Sequence, residues 1–224
     1  MSNLLGLLLP LGIGAAISPT PTATCLMLLS TNRKPLATAI AFLIGSGAAL
    51  VAVGVFSLAF FGGGGSEDAN RPSDVKNTID VMFGSFFLIL AFKLWLKMPD
   101  PNAPPPSWAA KIGSIGRGKA LLLGTMMTTT NFSSLPLYLS GLKDIVTANI
   151  GIAAGIVVLA LFVLFIEVAL LVPIVSYALA PRRAGVVLSA ILRWIKKNNR
   201  LVSIFVFVVF GGLLLVKGIA GFWG

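Results

Sequence analysis

The stretch Ser18-Pro19-Thr20-Pro21-Thr22 interrupts the first long apolar run of the chain, and Thr128-Thr129-Thr130-Asn131-Phe132-Ser133-Ser134-Leu135-Pro136 interrupts a later one. Proline lacks a backbone donor and clashes with the preceding helical turn. A helix that crosses lipid must open at both places, and the polar backbone freed there must face protein or water. Two such breaks at corresponding positions of two halves predict the central binding site of a transporter.

The composition places the chain in a membrane. Its 224 residues are 57% hydrophobic and 11% charged, with a mean hydropathy of +0.97, far more apolar than a soluble domain. The single cysteine, Cys25, excludes an intrachain disulfide, and the absence of histidine excludes His-based metal sites and proton relays. We expect Cys25 to be a small packing residue. The N-terminus has no basic residue before its apolar run, which predicts a mature first span.

Six apolar runs are long enough to cross about 30 Å of hydrocarbon. They cover residues 4–30, 36–61, 78–97, 119–142, 146–180 and 201–222. No run alternates with period two, so the predicted fold class is an all-α membrane protein with six transmembrane helices. The fifth run is too long for one perpendicular helix, and we expect Pro173 to kink it or to end its buried part.

The basic residues predict an orientation. In a six-span topology, 13 of the 17 Lys and Arg residues lie on or beside the connections after spans one, three and five. The other side has only Arg71, Lys76, Lys143 and Lys217. The positive-inside rule then predicts a multi-pass protein of the cytoplasmic membrane with both termini extracytoplasmic.

A proline-rich connector at 99–118 divides the chain into halves at 1–98 and 119–224. Each half has three spans, so the second enters the membrane from the opposite side and any repeat is inverted. An offset of 112 residues places Ser18 against Thr130 and Thr22 against Ser134. Direct identity is thin, and two unrelated proline kinks are the alternative. The density of hydroxyl groups at both breaks favours two inverted three-helix repeats, each with a broken first span.

Hydroxyl, amide and proline residues at the breaks are the candidate substrate-binding side chains. They are Ser18, Pro19, Thr20, Pro21, Thr22, Thr130, Asn131, Ser133, Ser134 and Pro136. Glu167 is added because it lies deep in an apolar run, where an ionised side chain costs about 3 kcal/mol or more. It is either a coupling or substrate-contact group or a structural carboxyl that ties span five to a broken helix. Asp80 begins the third span and is expected to reach the outer interface.

Residues 184–200 predict a basic amphipathic helix in the inner headgroup layer. Its apolar face holds Val187, Ala190, Ile191, Trp194 and Ile195, and its polar face includes Ser189. The residues expected at the membrane surface are Arg193, Trp194, Lys196, Lys197 and Arg200. The helix is either a topological anchor or a site that recruits anionic lipid headgroups.

Several stretches resemble a known family. Gly14 to Pro21, Met27 to Ser30, Ala41 to Gly45, Asn131 to Leu137 and Glu167 to Pro173 are similar, in order and spacing, to the mycobacterial glycolipid-addressing (sulfolipid or peptidoglycolipid addressing) proteins of the lysine-exporter (LysE) superfamily. The resemblance covers most of the chain. It implies a six-span, non-enzymatic transporter that moves cell-envelope glycolipid or a related amphiphile to the outer side of the membrane.

Other functions of that superfamily are weighed by the residues present. A thiol-disulfide carrier needs a cysteine at each break, and the second break has none. A metal exporter needs several membrane ligands, so no metal or cofactor is predicted. Export of amino acids or other small solutes remains open, because broken helix ends bind carboxylate and ammonium groups. So does an accessory role in a lipid export or synthesis complex.

The expected partners are membrane lipids and a lipid or small-solute substrate, not nucleic acid. No nucleotide-binding motif is present, so transport would draw energy from an ion gradient, a substrate gradient or a partner.

Overall fold

The computed structural model of the chain describes residues 2–61, 73–96, 112–148 and 150–223, and every regular element in these ranges is helical. The helices are α1 (Ser2–Ala16), α2 (Pro19–Thr31), α3 (Pro35–Phe61), α4 (Ser73–Leu96), α5 (Arg117–Thr129), α6 (Leu135–Thr147), α7 (Ile152–Leu179) and α8 (Pro181–Trp223), with a 3₁₀ turn at Ile112–Ser114 before α5. The predicted all-helical class is confirmed. Most of the proline-rich connector lies outside the described residues.

Prolines set where several helices begin. Helices α2, α3 and α8 start at a proline, and α6 has Pro136 within its first turn. The fixed φ of proline suits the first helical turn, where its missing N–H has no intrahelical partner to lose. Before α2, Ser18 is extended, with φ −108° and ψ 113°. Helices α1 and α2 consequently meet at an angle of 55°.

Four described helices are long and apolar enough to cross a membrane, and the bent pair of α1 and α2 makes a fifth if it counts as one span. The four segments are Pro35–Ala59, Asn77–Leu96, Ile152–Leu179 and Lys197–Trp223. Large apolar side chains on the outside of these helices are exposed, as contact with lipid requires. The chain is therefore a membrane protein.

The predicted span at 119–142 is not one helix, so the count of six spans is not confirmed. It is divided between α5 and α6, which have 13 residues each. Each helix is about 20 Å long, shorter than the hydrocarbon core. The five residues between them carry hydroxyl and amide groups that bond across the break instead of continuing the helical ladder.

Glycines let two pairs of helices approach closely. A Cβ at Gly45 of α3 would lie 2.0 Å from the backbone oxygen of Leu121 in α5, and one at Gly124 would lie 2.1 Å from that of Phe42. On the other side of the molecule, Gly84 of α4 packs against the backbone of α8 at Gly211. Small residues at such crossings favour helix association in lipid, where van der Waals contact replaces the hydrophobic effect.

Two apolar cores lie on either side of the helix breaks. The first joins α1, α6, the first part of α7 and the end of α8, and includes Tyr138 and Phe162 with stacked rings 5.7 Å apart. The second joins α2, the start of α3, the end of α7 and the start of α8, and includes Cys25 and Phe42. Cys25 is fully buried there, as a packing residue is expected to be. The breaks and Glu167 lie between these two cores.

The basic amphipathic segment is continuous with the last span, because α8 runs unbroken from Pro181 to Trp223. A second face, made of Ala184, Leu188 and Leu192, packs on the protein and joins the core around α2. Val187, Ile191 and Trp194 of the predicted apolar face are exposed, and their position in a headgroup layer stays a prediction. Contact with α2 decides the buried face, and periodicity alone does not show which apolar stripe faces protein and which faces lipid.

The fully buried part of the fifth run ends beside Pro173, as one of the two expectations stated, because none of the residues from Val175 to Leu179 is buried. Helix α7 continues through it to Leu179, and the neighbouring Leu170 and Ile174 are buried against other helices. A proline inside a helix removes the hydrogen bond to the carbonyl four residues earlier, so the oxygen of Ala169 loses its usual backbone partner. Packing on both sides of the proline holds the helix together.

Candidate functional site

The two helix breaks are in direct contact. The hydroxyl oxygens of Ser18 and Ser133 are 3.1 Å apart, and the side-chain amide of Asn131 donates to the Ser18 hydroxyl at 2.7 Å. Ser134 donates to the backbone oxygen of Ala15 at 2.9 Å, which joins the start of α6 to the end of α1. Residues more than 110 positions apart in the chain therefore form one polar cluster.

Asn131 is the centre of this cluster. Its amide nitrogen also donates to the Ser134 hydroxyl at 3.1 Å, and its oxygen accepts from the Ser133 hydroxyl at 2.6 Å and the Ser133 backbone N–H at 3.2 Å. Both ends of the amide are thus occupied, which fixes its orientation. The side chain replaces backbone bonds that the break has removed, because the residues between α5 and α6 do not continue the helical ladder.

The remaining predicted residues of the breaks surround this cluster without joining it. Thr22 and Thr130 return their hydroxyl groups to backbone oxygens of their own helices, at 2.9 and 2.7 Å. Thr20 is exposed, and its backbone oxygen accepts from the Thr24 hydroxyl. Pro19, Pro21 and Pro136 are buried in the first turns of α2 and α6. The structure therefore brings all ten predicted residues of the two breaks into one region.

Glu167 lies beside the breaks, and its carboxylate is paired on one side only. The Ser46 hydroxyl donates to Oε1 at 2.6 Å, and the Ser46 oxygen is 2.8 Å from the Thr128 hydroxyl. The other oxygen, Oε2, is buried and has no hydrogen-bond partner. The whole residue is 7% exposed. A buried carboxylate oxygen without a partner is rare and costly, so it indicates a function or a bound group.

Two cavities adjoin the polar cluster, and Asn131 lines both. The first, of about 40 Å³, lies between the breaks and Glu167 and is also lined by Ala16, Ser46 and Thr128. It has room for very few water-sized groups. The second is a more open groove of about 280 Å³. The residues that line the groove are Pro19, Thr20, Leu94, Met127, Thr130, Asn131, Phe132, Ser133, Ser203 and Phe207.

Sequence reasoning did not single out Ser46, although it is the direct partner of Glu167. A serine between Gly45 and Gly47 in the middle of an apolar span is a usable signal, because polar residues at that depth need a partner. The signal was too weak to interpret without knowing which helix α3 would face. Thr128 belongs to the hydroxyl-rich second break, and its contact with Ser46 links that break to the acid.

A second polar group, which we call the charge ring, joins α4, α6 and α8. It consists of Asp80, Lys143, Asp144 and Lys217. Lys217 lies 2.7 Å from Oδ2 of Asp144 and 3.7 Å from Oδ2 of Asp80, and Lys143 pairs closely with Asp80 and at 3.8 Å with Asp144. Its two acids and two bases balance in charge.

The charge ring defines the environment of Asp80. The residue is buried between helices, with 2% of it exposed, and it also accepts from the Ser140 hydroxyl at 3.1 Å. Lys143 and Lys217 are two of the four basic residues assigned to the outer side. Their ammonium groups lie between helices, where these ion pairs hold them. A Lys-Asp pair at 143–144 within an apolar run was an available signal, since ionisable residues in a membrane pair with one another.

The predicted membrane-surface residues have different environments. Arg193, Trp194 and Lys197 are exposed on α8. Arg200 instead caps α4, because its Nε donates to the backbone oxygen of Leu94 at 2.8 Å and its Nη2 to that of Trp95 at 2.6 Å. A guanidinium group at a helix C-terminus satisfies the last carbonyls and complements the helix dipole. The side chain of Lys196 lies outside the described residues.

Comparison with known protein families supports the resemblance seen in the sequence. The family described as "Sap, sulfolipid-1-addressing protein" matches residues 8–220. The chain belongs to this family. The matched region of this Sap-family member includes both breaks, the acid Glu167 and the whole charge ring. No curated protein and no solved structure matches the chain.

For this Sap-family protein, a metal centre built from several acids or thiols has no support in the described residues. They contain no group of three or more Asp, Glu, His or Cys side chains placed to hold a metal ion. The chemistry available at the breaks is therefore that of hydroxyl, amide and backbone groups with one acid. Such groups can bind a substrate or an ion.

Proposed function

We propose that this Sap-family protein is a carrier that moves a cell-envelope glycolipid or a related amphiphile across the cytoplasmic membrane. The observation that carries the proposal is the groove where the two helix breaks meet. Hydroxyl and amide groups of Thr20, Asn131 and Ser133 line it together with the apolar side chains of Leu94 and Phe207. A lining that is polar in part and apolar in part suits a molecule with a polar head and a lipid tail.

The lining of the groove favours an amphiphile over an amino acid. None of the ten described residues that line the groove carries a charge. An amino acid brings an ammonium and a carboxylate group into the site, and burial of these charges without partners is costly. A neutral hydroxyl-rich head can exchange hydrogen bonds with water for bonds with Ser, Thr and Asn at little cost. Export of amino acids through a LysE-type mechanism is therefore the second candidate.

The arrangement of helices supports two inverted three-span halves, which we include in the proposal. Helix α3 contacts α5 as α7 contacts α1, and α2 contacts α8 as α6 contacts α4. Exchange of the halves thus maps each of these contacts onto its counterpart, with α1 and α2 equivalent to α5 and α6, although the two contacts of each pair differ in extent. Under this proposal, α5 and α6 form the sixth span together, and both termini are extracytoplasmic. The same arrangement in other broken-helix carriers allows alternating access around a central site, consistent with the proposed LysE-superfamily relationship.

The proposed transport is tested in proteoliposomes that contain the purified protein alone and a fluorescent glycolipid. Chemical quenching of the outer leaflet reports movement between leaflets. Ser203→Trp fills the groove and should abolish movement, whereas Ser189→Trp on the same helix, outside the groove lining, should leave it unchanged. Movement equal to that of empty liposomes would contradict the carrier and favour an accessory subunit of a lipid export or synthesis complex. Faster efflux of an amino acid with no glycolipid movement would favour the solute exporter.

Lipid analysis of a deletion strain identifies the substrate in the cell. We expect the amount of one glycolipid at the cell surface to fall while its precursor accumulates inside. A plasmid that encodes the Ser203→Trp variant should fail to restore the surface lipid. The Ser189→Trp gene serves as the matched control and should restore export. Normal surface lipids together with lost amino-acid efflux would overturn the proposed substrate class.

A further inference from the structure

The small cavity beside Glu167 has the features of a binding site for a positive ion. The Glu167 carboxylate oxygen Oε2 is buried without a hydrogen-bond partner, while Oε1 accepts from the Ser46 hydroxyl. The described ion pairs all lie in the charge ring, so no Lys or Arg among the described side chains pairs with this acid. An isolated negative charge at this depth needs a positive partner.

Backbone groups around the cavity add partial negative charge. Helix α1 ends at Ala16, and both Ala15 and Ala16 line the cavity, so the negative end of the α1 dipole faces it. Ala169 lines it as well, and its carbonyl is the one that Pro173 leaves without a helical partner. The backbone oxygens of Ala15 and Ala16 already accept from the Ser134 hydroxyl and the Ser18 N–H, so they can offer a cation only their second lone pair. Carbonyl groups at helix breaks are the usual ligands of coupling ions in broken-helix transporters.

The same cavity is poorly suited to an anion. Anions bind to the free N–H groups of a helix N-terminus. The N-terminus of α2 faces the cavity, but Pro19 and Pro21 occupy two of its first three positions and have no N–H to donate. The hydroxyl groups of Ser46 and Thr128 present oxygen atoms that can turn toward a cation.

We propose that Glu167, Ser46 and Thr128, with carbonyl oxygens of the interrupted helices, form a binding site for one monovalent cation such as Na⁺. One acid balances a single charge, and all the available ligands are the hard oxygen atoms that such ions prefer. The cavity volume of about 40 Å³ admits a dehydrated ion or one or two water-sized groups and excludes the substrate head. A role in coupling rests on the proposed carrier function, whereas binding itself does not.

Binding is measured on the purified full-length protein in detergent at constant pH and ionic strength, with NaCl exchanged for choline chloride. We expect a saturable rise in the unfolding temperature with Na⁺, because a ligand that binds only the folded state stabilises it by mass action. Glu167→Gln keeps the shape of the side chain and removes its charge, so it should abolish the rise. Ser46→Ala should weaken the apparent affinity about tenfold through loss of one ligand.

Ser57→Ala is the matched control for Ser46→Ala. It lies on the same helix, donates to the Val53 backbone oxygen at 2.9 Å and does not line the cavity, so its response to Na⁺ should equal that of the native protein. If Glu167→Gln does not fold, Ser46→Ala and Thr128→Ala decide the question through their affinities. Equal stability in Na⁺ and choline, or a Na⁺ response that survives these substitutions, would overturn the proposal. A response to pH with no selectivity for Na⁺ would do the same and indicate a proton.

The outcome separates the ion site from the transport proposal. Na⁺ binding without glycolipid movement in proteoliposomes would retain the cation site and remove the carrier. Glycolipid movement with no effect of Na⁺ on binding or rate would retain the carrier and remove the site.

Discussion

The hydroxyl oxygen of Ser18 lies 3.1 Å from that of Ser133, and this contact joins the breaks of two helices that are 115 residues apart in the chain. The Asn131 amide bonds to both residues and lines both the small cavity near Glu167 and the larger groove. A change in this one cluster would therefore connect or separate the two cavities. In an alternating-access carrier, such a cluster is the expected position of a gate.

Asn131→Ala should destabilise the protein by about 1–2 kcal/mol, because it leaves the buried Ser18 hydroxyl with fewer partners and removes the link between the breaks. The measurement is the free energy of unfolding in mixed detergent micelles.

Asn198→Ala is the matched control for this substitution. Asn198 donates to the Trp194 backbone oxygen at 2.9 Å on an exposed part of α8, so its loss should change stability by less than about 0.5 kcal/mol. Equal effects of the two substitutions would mean that the contact between the breaks does not stabilise the fold.

In the charge ring, we expect a second substitution to recover part of the stability that a first substitution removes. Asp80→Asn leaves Lys143 and Lys217 to share Asp144 and should cost about 3–5 kcal/mol, because a buried charge loses its partner. Asp80→Asn combined with Lys143→Gln removes one charge of each sign and should recover much of that loss. The same unfolding measurement compares the single and double variants.

Lys93→Gln is the control for removal of a lysine. Lys93 is exposed at the other end of α4, and its replacement should change stability by less than about 0.5 kcal/mol. A double variant less stable than Asp80→Asn alone would show that the charges do not act as compensating pairs.

Two glycines of α3 allow the effect of close helix packing on stability to be distinguished from the effect of helix propensity. Gly45→Ala would place a methyl group 2.0 Å from the Leu121 backbone oxygen, so α3 and α5 must move apart at a cost of about 1–3 kcal/mol. Gly47→Ala, one half-turn away, meets no atom within 4 Å and should stabilise the helix by up to about 1 kcal/mol. Opposite signs of the two effects are expected in thermal unfolding. Similar effects would indicate that α3 and α5 do not pack as closely as described.

The sequence predicted the features whose causes are local. Prolines and hydroxyl groups near Ser18 and Asn131 open a helix wherever it lies, so both breaks could be located, and the depth of Glu167 in an apolar run marked it as unusual. The buried face of α8 and the burial of Asp80 depend on which helices become neighbours. Ala184, Leu188 and Leu192 are no more apolar than the exposed Val187 and Ile191, and only contact with α2 distinguishes them. The partner of Glu167 was unpredictable for the same reason.

The single native cysteine allows the groove to be examined by chemical labelling. Cys25 is fully buried, and a thiol reacts only when a reagent can reach its thiolate, so the folded native protein should label very slowly with a small polar maleimide. Ser203→Cys places a thiol in the groove and should label rapidly. Ser140→Cys, at a fully buried position beside Asp80, should remain unreactive until the protein unfolds.

Labelling of Ser203→Cys also tests orientation and occupancy. Position 203 follows the basic segment of α8, so an impermeant maleimide should reach it from the cytoplasmic side of sealed vesicles if the positive-inside prediction holds. Added glycolipid should slow the reaction, because its head would cover the hydroxyl and amide groups that line the groove. Labelling only from the opposite side would reverse the predicted topology. Rapid labelling of native Cys25 would show that the core between α2 and α8 opens in the folded protein, against the close packing found there.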